Sequence, residues 1–232
     1  MIKNSLALKL GMSLNSAPSS EWSPLLESSL EGWWKYKTDV TTVADDKVSS
    51  WKDSSTNSHN MLQENDAERP IYDSSSGSIT FDSTNTTHLE SGSQISISGN
   101  ATIAFWFDPT TFNNSVIGDN TTAGEFIKLT GNDEVKIKID SSDIDITLNS
   151  GTTWGNNYVV LDRLGTRWRL WHNGTLQTDA GDLGGTIDID AIGVRKTDLN
   201  PFNGKIYDVQ VYSSRSDNLT SNIIGYYKRI YS

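Results

Sequence analysis

The chain of 232 residues contains no cysteine, which excludes disulfides, thiolate metal sites and thiol nucleophiles. The fold must therefore rest on packing and hydrogen bonds. Histidine is nearly as scarce: the three present, His59, His88 and His172, are too far apart to show a zinc-ligand spacing, and no Gly-x-Ser-x-Gly elbow accompanies them. A His-dependent hydrolase has little to build on. No apolar run approaches the ~20 residues a membrane helix requires, residues 103–107 being the longest uncharged one. Membrane insertion is not expected. Positive charge is short as well, with 19 Lys and Arg against 29 Asp and Glu for a net charge of −10. That balance opposes nucleic acid, whose affinity comes largely from cationic contacts to phosphate. Glutamate is outnumbered, 8 to 21 aspartates, and Asp with abundant Ser, Thr and Asn belongs to turns and strand-connecting loops.

What is present reads as β structure. Short alternating runs bounded by turn residues fall at 33–36, 48–51, 78–81, 101–108, 126–130, 135–139, 144–148, 158–163, 168–172, 186–194 and 205–212, the spacing of an antiparallel sandwich or jelly roll. Asn173-Gly174 between Trp168, Leu170, His172 and Leu176 predicts a type I′ hairpin, because both central residues tolerate positive φ. Near the C-terminus Leu219, Ile223, Tyr226 or Tyr227 and Ile230 recur at helical spacing, with Ser216, Asp217 and Asn218 as available N-caps. One helix closes the chain.

The first thirty residues differ from the rest. Leu6, Leu8, Leu10, Met12 and Leu14 alternate with polar or small residues, a strand pattern with one apolar side, and Lys9 interrupts what a secretory signal would need as a continuous apolar core. Residues 15–20 read as a linker, and residues 22–30 as a short helical turn. The division expected is an N-terminal assembly arm and linker at 1–30 and a jelly-roll domain at 31–232.

Several blocks together resemble a known family. Glu31-Gly32-Trp33-Trp34, Val48-Ser49-Ser50-Trp51-Lys52-Asp53, Arg69-Pro70-Ile71-Tyr72, Ile79-Thr80-Phe81-Asp82, Thr102-Ile103-Ala104-Phe105-Trp106-Phe107, Arg169-Leu170-Trp171-His172-Asn173-Gly174 and Phe202-Asn203-Gly204-Lys205-Ile206-Tyr207-Asp208-Val209 resemble, in that order, laminin-G-like domains of the concanavalin A-like lectin/glucanase superfamily. The resemblance implies a two-sheet jelly roll and a place among adhesins, carbohydrate-binding modules or structural proteins of phage particles.

Catalysis finds no motif. Asp143-Ile144-Asp145 and Asp188-Ile189-Asp190 lack the spaced glutamates of a glucanase strand, and alternation places each aspartate pair on a solvated face. Calcium is the one cofactor the loops could hold, through Asp82, Asp119 and Asn120, since oxygen ligands need no fixed motif. A sugar would meet Trp154, Asn156 and Asn157 in a loop, where an aromatic face stands beside polar groups; the alternative for Trp154 is a loop anchor folded onto the sandwich. Five alternating apolar side chains in an arm invite a partner surface. The sequence is thus read as a non-enzymatic structural protein of a virus particle, in phage capsid decoration or a tail or fibre surface. Leu6, Leu8, Leu10, Met12 and Leu14 would dock on neighbouring virion proteins in an oligomeric assembly, and the jelly roll would face outward toward cell-surface glycan. The alternative is a secreted, extracellular lectin-like module that binds carbohydrate.

Overall fold

The computed structural model describes residues 21–121 and 124–231. Its described strands pair antiparallel in two stacked sheets. The first sheet runs, in spatial order, β15 (Thr175–Asp182), β14 (Arg167–His172), β13 (Asn157–Leu164), β8 (Ala101–Pro109), β17 (Gly204–Tyr212), β6 (Ser78–Phe81) and β5 (Ile71–Asp73), with β1 (Leu30–Trp34) also on β17. The second runs β12 (Ser142–Thr147), β11 (Glu134–Ile139), β10 (Phe126–Leu129), β9 (Asn114–Gly118), β16 (Ile187–Ile192), β7 (Leu89–Ile97), β4 (Met61–Leu62), β3 (Val48–Trp51) and β2 (Val40–Thr42). One helix, α1 (Asp217–Ile230), follows β17, capped by Ser216, whose side chain accepts from Leu219 N.

Alternation decides which side of each strand is buried. In β8, Ile103, Phe105 and Phe107 enter the core between the sheets, with Trp34, Trp51, Phe81 and Trp168, while Ala104 and Trp106 point the other way. That other face is also covered. Leu219, Ile223, Tyr226 and Tyr227 of α1 pack there on Trp33, Trp106, Tyr158 and Tyr212, and Trp106 stacks on Tyr207 at 4.3 Å between centroids. Burial on both faces explains why residues 103–107 form an unbroken apolar run.

Two carboxylates lie beneath this helix. Asp208 accepts from Trp33 Nε1 (3.2 Å), Tyr36 N (2.9 Å), Gln210 Nε2 (2.9 Å), Tyr226 Oη (3.1 Å) and Tyr227 Oη (3.0 Å). Asp162 accepts from Arg169, Trp171 Nε1 and Thr220 Oγ1. Burial lifts the pKa of Asp208 against the pull of its donors.

Five strands were not anticipated: β2, β4, β5, β7 and β9, and β15 continues well beyond the hairpin turn. β7 is nine residues long, yet only Leu89, Ile95 and Ile97 face the core, and its polar middle hides the period. The arm residues Leu6, Leu8, Leu10, Met12 and Leu14 lie outside the described residues. Upstream of Glu31, Trp22 meets Tyr226 edge-on and Leu30 is buried in the helix-side cluster. The described packing thus begins before residue 31.

Candidate functional site

The two outer faces of the sandwich differ. Sheet one is roofed by α1, whereas the outer face of sheet two carries the polar half of each alternating strand. Lys136 and Lys138 of β11, Asp143 and Asp145 of β12, Lys128 of β10 and Asp188 of β16 oppose core-facing Val135, Ile137, Ile139, Ile146, Ile127, Ile187 and Ile189. Asp143 and Asp145 each accept from Lys136 Nζ at 2.9 Å, the solvated pairing that alternation predicts. Asp190 departs from that expectation: it is buried, and a bulge between Ile189 and Ala191 interrupts its strand.

A cleft of about 300 Å³ opens on this face, lined by Leu62, Gln63, Glu64, Glu90, Ser91 and Gly92. That volume sits at the lower end of small-ligand sites, roughly 300 to 1,000 Å³. Leu62 is 44% exposed and supplies an apolar patch, and the space in front of Gly92 is open. Glu90 belongs both to the cleft and to a network of ionisable groups behind it.

That network joins three strand ends of sheet two. The start of β7 supplies His88 and Glu90, the end of β9 supplies Asp119 and Asn120, and β16 with the loop after it supplies Asp190 and Asp198. Gly118, at the end of β9, is tightly enclosed, since a Cβ there would meet Arg195 Cβ at 2.9 Å, Glu125 O at 2.9 Å and Val194 O at 3.0 Å. The Asn120 side chain donates to Asp198 Oδ1 (3.0 Å) and to Glu90 Oε1, and its Oδ1 accepts from Asp198 N at 2.9 Å. Its backbone N–H reaches Asp190 Oδ1 at 2.7 Å.

The crowding of carboxylates separates their protonation. Burial pushes Asp190 up to about 6, helped by the charges of Asp119 and Glu90. Burial likewise raises Glu125, beside Asp119. Asp119 moves the other way: burial raises its pKa, but hydrogen bonds from Thr121, the Gly124 N–H and Glu125 outweigh the burial. For His88, burial opposes the charged ring, but Glu90, the Thr86 carbonyl and Asp198 outweigh it and raise its pKa.

The residues expected from sequence fare unevenly. Asn120 and Asp119 stand in this network. Asp82 does not join them: its carboxylate turns back on its own loop, accepting from Thr84 N (2.8 Å) and Asn85 Nδ2 (2.8 Å), and it shares no hydrogen-bond partner with Asp119 or Asn120 among the described residues. Trp154 is 7% exposed, wedged between Phe107 and His172, with its Nε1 on Glu134 O. Its face is closed to a sugar, as the anchor alternative predicts. Asn156 is exposed, with its Oδ1 accepting from Trp106 Nε1 at 2.6 Å, and Asn157 is buried, with its Oδ1 accepting from Gly155 N at 2.7 Å. His88, Glu90 and Asp198 were missed; His88 and Glu90 are neighbours in sequence, but Asp198 lies far down the chain, and only the topology brings it to them.

No protein-family model matches the sequence, and no curated protein matches it. Among solved structures, similar folds include domain 4 of AbnA, a GH43 extracellular arabinanase from Geobacillus stearothermophilus, in complex with arabinotriose. It is 14% identical over 84% of this chain and 98% of that domain, with a TM-score of 0.57. Trypanosoma rangeli sialidase in complex with sialic acid is 13% identical over 89% of this chain, with a TM-score of 0.55, and the match spans 34% of that protein. The CBM40 of Ruminococcus gnavus IT-sialidase bound to alpha2,3 sialyllactose is 19% identical over 55% of this chain and 83% of the other, at a TM-score of only 0.42. The first two share this chain's fold, a two-sheet antiparallel jelly-roll sandwich. The described part of the chain has no helix long and apolar enough to cross a membrane.

Proposed function

We propose that this chain is a non-catalytic, extracellular carbohydrate-binding module whose ligand surface is the open outer face of sheet two, centred on the cleft between β4 and β7. The observation that carries the reading is the asymmetry of the faces: helix α1 buries one outer face, while the other is left polar and holds a cleft with an apolar wall at Leu62 and hydrogen-bonding groups at Gln63, Glu90 and Ser91. A sugar ring offers the complementary mixture of C–H surface and hydroxyls, and concave polar sites with a small apolar patch suit such ligands. The arabinotriose and sialic acid complexes of the fold neighbours support carbohydrate as the ligand class, by analogy of fold alone. Assignment to the laminin-G-like branch of the superfamily rests on the order of sequence blocks. Nothing among the described residues favours assembly into a virus particle over glycan binding.

Titration of the full chain with a panel of oligosaccharides, arabinotriose and sialyllactose included, tests the reading by calorimetry. Saturable binding of at least one glycan is expected, together with its loss in Ser91→Trp, where the indole fills the cleft and the melting temperature stays close to wild type. Absence of binding across a broad glycan array, or undiminished binding by Ser91→Trp, would refute it.

A further inference from the structure

We propose a second site, independent of the glycan reading: a first-row transition cation, zinc being the best fit, held by His88 Nε2, Glu90 Oε1 and Asp198 Oδ1. These three atoms lie within 4.8 Å of one another. His88 Nε2 is 3.2 Å from Glu90 Oε1 and 3.6 Å from Asp198 Oδ1. Metal–ligand bonds of 2.0–2.2 Å in a tetrahedron set neighbouring ligand atoms roughly 3.3 to 3.6 Å apart. The two edges lie at or just below that spacing, and the Asn120 amide, which donates to both carboxylate oxygens, swings aside to admit the ion.

The histidine is already oriented for ligation. Its ring is 3% exposed, and Nδ1 lies 2.8 Å from the Thr86 carbonyl, a contact that requires a proton on Nδ1. That second hydrogen bond is the usual support for a metal-binding imidazole, because it turns the Nε2 lone pair toward the ion. Gln63 points the same way. Its Oε1 is committed to Asn65 N at 2.9 Å, so its NH₂ is the group that faces His88 Nε2 at 3.1 Å. An amide N–H there suits a lone pair on Nε2, whereas Glu90 and Asp198 favour a proton on it, so the ion displaces a proton when it binds. Three electron-pair donors therefore converge on one point.

The remaining surroundings agree. Asp190, bound by the Asn120 backbone N–H, lies behind the triad, and the Asn120 side chain joins it to Asp198. Side chains of Glu90 and Asp198 are 43% and 49% exposed, which gives the ion a route from solvent. An imidazole with two carboxylates suits zinc and its neighbours, whereas calcium takes six to eight oxygens and avoids nitrogen. This set also differs from the sequence-based calcium expectation, whose Asp82 is spent within its own turn.

The test is calorimetric titration of the chelator-treated full chain with zinc chloride, with manganese and calcium chlorides in parallel, followed by melting curves. One zinc per chain is expected, with a rise in melting temperature because the ion binds the native state. Asp198→Ala, an exposed loop change that spares folding, should weaken binding about tenfold or more, and His88→Gln should abolish it. Asp143→Asn, on a remote part of the same face, should bind as wild type. If His88→Gln fails to fold, Asp198→Ala alone decides. Lack of one-to-one binding, calcium bound in preference to zinc, or equal binding by Asp198→Ala would leave the cluster as an imidazole–carboxylate pair only, and the proposal would fall. None of these readouts involves a glycan, so failure here is separable from failure of the carbohydrate reading.

Discussion

Single side chains in this protein take their properties from whatever the fold places beside them, and Asp190 is the plainest case. On an ordinary strand it would be solvated and ionised; here the bulge and the neighbouring acids bury it and raise its pKa from 3.8 to about 6. The native state then holds a proton that the unfolded chain has released between those values. By linkage, the stability this group contributes is fully present below about pH 4 and is lost as pH rises toward 6. Asp190→Asn removes the titration. Melting temperature measured from pH 4 to pH 7 should therefore fall more steeply with rising pH in wild type than in the variant, and parallel curves would show that Asp190 does not hold its proton. The sequence could show Asp190 alternating with isoleucines, but it could not show Glu90 and Asp119 facing it.

At the scale of elements, helix α1 is fastened to sheet one by buried acceptors as well as by its apolar stripe. The stripe was legible, since Leu219, Ile223, Tyr226 or Tyr227 and Ile230 recur at the helical period, and Ser216 is one of the three caps the sequence offered. The fastening was not, because Asp208 lies within β17 and its donors come from β1, its own strand, and α1. Replacing it strands two tyrosine hydroxyls, the Trp33 indole and a backbone N–H away from water. Asp208→Ala is expected to cost roughly 3 to 5 kcal/mol, the range for unsatisfied buried donors acting together. Urea denaturation followed by tryptophan fluorescence measures this directly; a loss under about 1 kcal/mol would mean that the apolar stripe alone holds the helix. Strand detection succeeded or failed by the same logic. Strands with one apolar and one polar side, such as β11, announced themselves, while β7, with three core residues in nine positions, did not.

Across the whole molecule the two sheets should differ in local stability. β8, β13 and β17 are central in sheet one and buried on both faces, whereas β2, β5 and β12 are edge strands facing water on at least one side. Hydrogen exchange in the full chain is expected to be slowest in β8 and β17 and fastest at those edges, as protection follows burial and cross-strand pairing. Equal protection of β8 and β12 would contradict the view that α1 completes a second apolar layer. On the carbohydrate-binding proposal, the same asymmetry makes the outer face of sheet two the candidate ligand surface, since α1 covers the centre of the other. With a net charge of −10, the chain as a whole does not attract phosphate polymers.

Composition and period were enough to determine the class of this protein: abundant Asp, Ser, Thr and Asn, absent cysteine, alternating short runs and one terminal amphipathic segment permit little besides a two-sheet sandwich closed by a helix. Those signals are local, each fixed by residues two to four positions apart. The sites were decided by tertiary structure alone. His88, Glu90, Asn120, Asp190 and Asp198 span more than a hundred positions, and they meet because sheet pairing sets β7, β9 and β16 side by side. Trp154 shows the converse: its loop context in sequence admits both an exposed platform and a loop anchor, and the packing of Phe107 and His172 against it turns it inward. Alternation specifies which side of a strand is apolar, but not which strand lies next to it, and at this chain's functional face the neighbours determine the chemistry.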